Sequence, residues 1–492
     1  MIKVTKKNEV HLLVDTDPGI AQELNDYFTF DVPGARFMPL YRNRMWDGKA
    51  RLFNIYRKEL YVGLLPYLQE FANTLEYDLN LDVKDIGDPV SKTYVETFTK
   101  ELKLQSNGKD IEVRDYQVDG ITEAINRGRS LLLSPTASGK SLIIYSLVRY
   151  HQQLGRKQLI IVPTTSLVEQ MYGDFQDYAT AVDWKVSENC HRIYGGKEKS
   201  NEFPITISTW QSIYKFPKSW FEKFDVVYGD EAHQFKAKSL TTILDKCSNT
   251  PYRIGTTGTL DGTKTHKLVL EGIFGSVYKV TTTKKLMDEN QVADLKIIGM
   301  ILEYKDSDRQ LVKKMNYQEE MDWLVTNHSR NVIIRNLSIT QKGNTLVLFQ
   351  YVEKHGKVLY EMIKEKVNDG RKVFFVFGGT DTETREQIRS ITEKESDAII
   401  IASYGTFSTG INIRNLHNIV FASPSKSRIR NLQSIGRGLR KGDNKVSCNL
   451  FDIGDDLSWK SKKNYTLLHM IERIKIYNEE KFNYKSVKID VK

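Results

Sequence analysis

The sequence predicts an α/β protein with two parallel-sheet domains in tandem behind a small N-terminal α+β domain. Three observations carry this. Short apolar runs of strand length alternate with helical stretches, the pattern of a parallel sheet covered on both faces. The alternation stops and then restarts, which doubles the unit. Residues 1–105 follow neither series and stand apart.

The first series lies in 106–285, with strand candidates at 131–133, 159–162, 205–207, 226–227 and 253–254. Between them are stretches such as 142–150, where Ile143, Ile144, Leu147 and Val148 share one helical face. The second series lies in 286–456, with strand candidates at 345–349, 373–377, 398–402, 419–421 and 449–451. The segment 282–340 reads as the lead-in to it, linker and helix. Residues 457–492, rich in Lys and aromatics, read as a basic helical tail. Asp455 and Asp456 read as a loop or a helix cap.

Composition narrows the function. The charged fraction is 27% and the hydrophobic fraction 40%, an ordinary globular balance. A net charge of +10 favours a nucleic acid or another anionic partner. Cys190, Cys247 and Cys448 form no C-x-x-C pair, so neither a zinc site nor a disulfide framework is expected. The start has no apolar core of a signal peptide, and no run reaches the ~20 apolar residues that cross a bilayer. The expected location is the cytoplasm, that of the host cell if a phage encodes the chain.

Ser134-Pro135-Thr136-Ala137-Ser138-Gly139-Lys140-Ser141 follows a three-leucine strand and opens an amphipathic helix. That context suits a loop whose N–H groups cradle the phosphates of ATP. Lys140 supplies a point charge and the Ser141 hydroxyl a ligand for Mg²⁺. Ser134 stands where the usual pattern has its first glycine. An ordinary strand-to-helix turn is the blander reading, and the companion motifs argue against it. Asp230-Glu231-Ala232-His233 ends an apolar strand, where parallel sheets bind ligands. Asp230 is placed to hold Mg²⁺ and Glu231 to activate the attacking water. Gln433, Arg437 and Arg440 lie in the second series. Their spacing puts both guanidiniums on one helical face, where they can clamp a transferring phosphoryl group. The alternative there is a basic surface helix. A second domain that supplies arginines implies a nucleotide site completed by closure.

In this order the three stretches resemble the motif set of superfamily 2 helicases and translocases, which implies two RecA-like motor domains. The resemblance assigns Gln117 to adenine. It assigns Pro163, Thr164, Thr165 and Ser166, then Thr209, Gln211 and Ser212, to a nucleic-acid backbone. Thr257 and Thr259 fall to coupling. Ser408, Thr409 and Gly410 fall to the motif that joins strand and nucleotide in the second domain. A closer likeness is carried by Trp46-Asp-Gly48, 163–165, 206–211, 381–385, 402–410 and 480–484. It is to the UvsW-type recombination and repair helicases of T-even-type bacteriophages, and it runs nearly end to end. It implies an ATP-dependent 3′→5′ helicase for branched DNA: Holliday junction branch migration, fork regression and removal of R-loops. RNA–DNA hybrids, single-strand-binding proteins and recombination proteins are the further partners expected. The chain departs at Ala232, where the phage relative carries cysteine; no functional change is expected from it.

The hydroxyls of Thr164, Thr165, Ser166, Thr209 and Ser212 follow strands where helices begin, so they can bind phosphates without reading sequence, or simply cap. Arg42, Arg44, Trp46, Lys49 and Arg51 interleave cations with an aromatic ring and suit a nucleic acid; an amphipathic strand with Trp46 in the core is the alternative. Lys460, Lys462, Lys463 and Tyr465 form a weaker cluster of the same kind. Arg385 is a candidate strand contact, and His233 a coupling residue. The competing functions are an RNA helicase and a nucleic-acid-binding protein with an inactive ATP site.

Overall fold

Ile2 and Val4 are buried while Lys3 is exposed, and Leu12 and Val14 repeat the alternation. Such strands bury one face. They lie in a five-stranded N-terminal sheet of order Phe53–Asn54, Glu59–Tyr61, His11–Asp15, Ile2–Lys6, Leu79–Asp82. Only the last pair is parallel. The helices Pro18–Tyr27 and Leu65–Thr74 cover its apolar face with Leu24, Leu68 and Phe71. Asp17 caps the first, its carboxylate accepting from the Ile20 N–H at 3.1 Å.

The computed structural model describes the chain except residues 85, 196–201, 236–237, 368–369, 411–412, 414 and 441–444, and the side chains of 238–239, 382 and 408–410. By contacts it divides into one unit of 1–134 and 139–281 and another of 282–492 with 135–138. The N-terminal sheet belongs to the first unit and shares its core with it. Leu268, on the helix Lys264–Phe274, joins the N-terminal cluster. Tyr67 donates its hydroxyl to Glu271 Oε2 at 2.6 Å, and Arg129 donates to Glu9 Oε2 at 2.8 Å. Gly63 is needed at this seam, because a Cβ there would stand 1.9 Å from the Glu271 carbonyl oxygen.

The rest of the first unit is a seven-stranded parallel sheet. Its order is Cys190–Ile193, Ile205–Thr209, Gln158–Val162, Val226–Asp230, Tyr252–Thr257, Arg129–Leu133, Val277–Lys279. The five inner strands are those expected from apolar runs. The two edge strands fall outside that expectation, since Cys-His-Arg-Ile and Val-Tyr-Lys carry no apolar run.

The second unit repeats the plan in the order Val373–Val376, Ile399–Ser403, Thr345–Phe349, Asn418–Phe421, Ser447–Asp456, Asp294–Glu303, Tyr484–Asp490. All pairs are parallel. Here the reading of 282–340 as linker and helix misses the strand Asp294–Glu303. The segment 457–492 is likewise more than a helical tail. After the helix Tyr465–Glu479 it returns as the edge strand Tyr484–Asp490, in register from Ile297 against Tyr484 to Glu303 against Asp490. Lys485 and Lys488 make this edge polar, a common protection against edge pairing that also hides the strand in the sequence.

Asp455 is neither loop nor cap. It is fully buried with Arg330, whose Nε lies 2.8 Å away, and it accepts from the Tyr304 hydroxyl at 2.8 Å. Arg473 and Asp452 make a second buried pair, with Tyr477 donating to Asp452 at 2.8 Å. Buried Glu320 accepts from the Tyr465 and Thr466 N–H groups, the Thr466 hydroxyl and Asn464, which fastens the C-terminal helix to the sheet.

Two buried histidines tie stability to pH. Burial, helped by Arg156, pushes His151 down to about 3, and burial beside Arg330 holds His355 well below the usual range. Unfolded, each binds a proton below pH ~6.5, and folded it does not. Their contribution is therefore complete above ~6.5 and is lost as pH falls below it, at up to about 1.4 kcal/mol per pH unit for each. Denaturant midpoints should fall between pH 7 and 5, and less steeply in His151→Gln. An equal slope in that variant would contradict the assignment.

Candidate active site and nucleic-acid face

The loop after Arg129–Leu133 turns into the helix Lys140–Gln153 through two left-handed residues, Ala137 (φ 68°) and Gly139 (φ 83°). At this φ a side chain on Gly139 would be strained, and its Cβ would meet Gln117 Nε2 at 2.3 Å, so Gln117 would have to shift. Gln117 is buried, and its Oε1 accepts the Arg114 N–H at 2.9 Å, closing the N-terminus of the helix Asp115–Arg127. Lys140 Nζ lies 3.4 Å from the Ser134 carbonyl oxygen, and the Ser138 hydroxyl donates to the Pro135 carbonyl at 2.6 Å. The Ser134 N–H donates to the Thr257 carbonyl at 2.8 Å, which anchors the loop to the neighbouring strand.

Asp230 ends the strand Val226–Asp230 and is buried. Its Oδ1 accepts from the Thr256 hydroxyl at 2.8 Å and the Glu231 N–H at 2.9 Å. Burial, and then the Glu231 charge, raise its carboxyl above the usual range; Lys140 and the Thr256 hydrogen bond pull it back. Glu231 adopts a left-handed backbone, φ 49° and ψ 48°. For a non-glycine residue this conformation is strained, and such strain concentrates at functional sites. Glu231 Oε2 lies 3.3 Å from His233 Nδ1, which lies 3.1 Å from Thr257 Oγ1. Thr257 donates in turn to the Thr259 carbonyl at 3.1 Å, so the His233 Nδ1–H is the donor to Thr257. His266 Nε2 meets the His233 carbonyl at 3.0 Å and fixes the relay from behind.

A divalent ion suits this carboxylate. Among the described residues no group of three or more acidic, His or Cys side chains could hold one alone. Mg²⁺ usually takes one or two carboxylates plus nucleotide phosphates. Asp230 and Ser141 are the donors such an ion would use, and a positive charge there would relieve the crowding of Asp230 against Glu231.

Pro163, Thr164, Thr165, Thr209, Gln211 and Ser212 gather at the ends of two adjacent strands, paired Val162 to Thr209. Thr164 caps the helix Thr165–Tyr178, accepting from the Leu167 N–H at 3.3 Å, and lies 3.0 Å from the Ser166 hydroxyl. Thr209 and Ser212 hydroxyls are 2.8 Å apart, and Gln211 Nε2 donates to the Pro163 carbonyl at 3.2 Å, joining the two loops. Thr165 and Ser166 are exposed.

In the second unit, Gln433 and Arg437 lie on the helix Arg428–Gly438, half-buried. The helix ends before Arg440, which sits in the closing turn with its N–H 3.4 Å from the Arg437 carbonyl. The Arg437 guanidinium covers the Phe407 ring at 5.5 Å, so this helix meets the helix Tyr404–Gly410. The side chains of Ser408, Thr409 and Gly410 lie outside the described residues, as does Asn412. Arg385 Nη2 donates to the Gly378 carbonyl at 2.9 Å, holding its own turn.

The N-terminal cluster is not one strand. Pro39–Arg42 is a helical turn and Lys49–Arg51 a short strand paired with Thr29–Asp31. Trp46 is half-buried, its Nε1 donating to the Lys49 carbonyl at 2.9 Å, and Arg51 pairs with Asp47. Arg42, Arg44 and Trp46 line an open concavity of about 630 Å³ with Arg36, Tyr41 and Asp47.

Strand ends so equipped on one parallel sheet, and an arginine helix on a second, define a helicase of superfamily 2 with two RecA-like domains. Residues 110–262 match the family described as type III restriction enzyme, res subunit, and 328–442 the helicase conserved C-terminal domain. Residues 1–82 match the N-terminal domain of DNA helicase UvsW. The chain is 37% identical to the ATP-dependent DNA helicase uvsW of Enterobacteria phage T4, over 98% of both chains. The crystal structure of T4 UvsW superposes with a TM-score of 0.52 at 34% identity, covering 100% of each chain. A more distant relative is the DNA 3'-5' translocase XPB2 of Sulfurisphaera tokodaii, 23% identical over 70% of this chain and 84% of its own length. The chain belongs to the UvsW family of ATP-dependent DNA helicases.

Two residues of the site have no motif to announce them. Thr256 orients Asp230 from the next strand, and Lys445, almost fully buried, donates to the Arg440 carbonyl at 3.0 Å and to that of Gly438. Burial pushes the Lys445 ammonium down to about 8. It satisfies the last carbonyls of the arginine-bearing turn, as a cation at a helix C-terminus does. Lys445→Met should cost about 1–3 kcal/mol of stability, the penalty of unsatisfied buried polar groups, and slow ATP turnover. Denaturation and steady-state ATPase check this. A variant as stable and as fast as wild type would refute the cap.

Proposed function

We propose that the chain is an ATP-dependent helicase acting on branched DNA, with Holliday junction branch migration, fork regression and R-loop unwinding as its work in phage recombination, repair and replication control. The observation that carries the reading is the relay Glu231–His233–Thr257–Thr259 at the carboxyl rim of the sheet that also carries the hydroxyl loops. Lys140 binds the β- and γ-phosphates, the loop 134–139 cradles them, and Gln117 with Gly410 completes the nucleotide contacts. Asp230 and Ser141 would hold Mg²⁺, which would supply positive charge to neutralise the phosphates. Glu231 takes a proton from the attacking water, while Gln433, Arg437 and Arg440 stabilise the transferring phosphoryl group. His233, Thr257 and Thr259 couple the nucleotide state to the strand.

Pro163, Thr164, Thr165, Thr209, Gln211, Ser212, Ser408 and Thr409 hold the backbone of the tracked strand. Arg42, Arg44, Trp46, Lys49 and Arg51 meet the branch. Arg51, already paired with Asp47, contributes less than exposed Arg42 and Arg44, and Arg385 acts by shaping its turn. No described helix is long and apolar enough to cross a membrane, and we place the protein in the host cytoplasm.

Lys140→Ala should abolish ATP turnover while DNA binding stays within about twofold of wild type. Wild-type ATPase should rise more with forked and four-way DNA than with single-stranded RNA. Equal stimulation by RNA would replace this reading with an RNA helicase. Because the N-terminal sheet shares its core with Leu268, point changes at Arg42 and Arg44 test that domain better than truncation. The double Ala variant should weaken fork binding about tenfold or more and leave basal ATPase intact.

A further inference from the structure

The second sheet carries a basic cluster that none of these roles uses. Beyond the strand Ser447–Asp456 the chain makes a tight turn in which Trp459 and Lys462 exchange backbone hydrogen bonds at 3.0 and 3.1 Å. Lys460, Lys462 and Lys463 project from it, exposed. Beyond the adjacent strand Asp294–Glu303, the helix Asp306–Val312 ends at Lys313 and Lys314, also exposed. Lys462 Nζ donates to the Lys313 carbonyl at 3.1 Å, which brings together two segments far apart in sequence. Lys313, Lys462 and Lys463 line one recess with Trp459 and Tyr465.

Two features separate this cluster from an ordinary solvated surface. None of the five lysines makes an ion pair among the described residues, whereas Lys284, Lys354, Lys357, Lys372 and Lys488 on the same half of the chain each do. The carboxylate that lines the recess, Glu320, is already committed to Asn464, Tyr465 and Thr466. No described carboxylate stands within ion-pair distance of these ammonium groups. The cluster also follows the carboxyl ends of its strands, the rim from which the helix Tyr404–Gly410 leaves Ile399–Ser403. In the sheet order Ser447–Asp456 lies three strands from Ile399–Ser403. At ~4.8 Å per strand that is about 14 Å along the rim, too far for one residue to serve both places.

We propose that Lys313, Lys314, Lys460, Lys462 and Lys463 form a second phosphate-backbone site, which holds a duplex arm of the DNA while the motor tracks a single strand. The inference rests on the branched-DNA reading. Lysines without a fixed fork of donors bind phosphate as point charges and read no sequence, as an arm-holding surface requires.

The test compares Lys460→Gln/Lys462→Gln/Lys463→Gln with a charge-matched control, Lys357→Gln/Lys364→Gln/Lys366→Gln, in the full chain. Binding to a fork with duplex arms, to plain duplex and to single strand is measured by anisotropy across a salt series. The slope of log K against log salt should fall by about 2.7 for fork and duplex in the first variant, about 0.9 for each phosphate no longer neutralised. It should stay at the wild-type value for single strand and for the control. Wild-type slopes on fork and duplex in the first variant would overturn the site. An equal reduction on single strand would overturn its assignment to a duplex arm. If the slope falls as expected but wild-type protein prefers no fork over plain duplex, the site stands and the branched-DNA reading fails.

Discussion

Everything functional here depends on one constraint: parallel strands all end at the same rim. The carbonyls and N–H groups just beyond a strand's last ladder bond have no partner in the sheet, so they are available to a ligand. In the first sheet the five inner strands end, in turn, at the phosphate loop, at Pro163–Thr164, at Thr209, at Asp230 and at Thr257. Register then decides which side chains meet. Asp230 lies opposite Thr256 and Leu133 opposite Thr257, so the hydroxyl that orients the carboxylate and the carbonyl that anchors the loop come from one strand. A one-residue slip would send Asp230 to the other face and dismantle the relay.

The same rim explains why the acidic pair is unstable by itself. Asp230 is buried beside a second carboxylate, and Glu231 is held in a left-handed conformation that costs about 1–3 kcal/mol. The surrounding hydrogen bonds over-determine both residues: Asp230 by Thr256, and Glu231 through His233 and Thr257. A positive charge beside these two carboxylates would relieve that crowding.

What the sequence made legible follows from the same physics. Inner strands are buried on both faces, so 131–133, 159–162, 345–349 and 398–402 read as unbroken apolar runs. The phosphate loop and Asp230-Glu231 are legible because their chemistry needs particular residues at particular strand ends. The edge strands Cys190–Ile193, Val277–Lys279 and Tyr484–Asp490 carry polar residues and escape such a reading, whereas the edge strand Val373–Val376 keeps an apolar run and does not. Asp294–Glu303 alternates buried and partly exposed residues under an acidic start, and its neighbours 282–293 and 304–330 are polar enough to suggest a linker. Buried ion pairs are the least legible. Nothing near Asp455 or Asp452 in the sequence announces Arg330 or Arg473, because those partners are defined only once the helices pack. Thr256 and Lys445 are invisible for the same reason: each acts on a motif from a different segment.

The N-terminal domain shows how packing bears on function. Its sheet shares an apolar core with the helix Lys264–Phe274, and Gly63 leaves no room between that seam and the Glu271 carbonyl. A module joined by a linker could turn on its own; one joined by a common core cannot turn without opening that core, at about 25 cal/mol for each Å² of apolar surface exposed. Whatever binds at Arg42 and Arg44 is therefore held in fixed relation to the hydroxyl loops at Thr164 and Thr209. Lys313, Lys314, Lys460, Lys462 and Lys463 belong to the other unit.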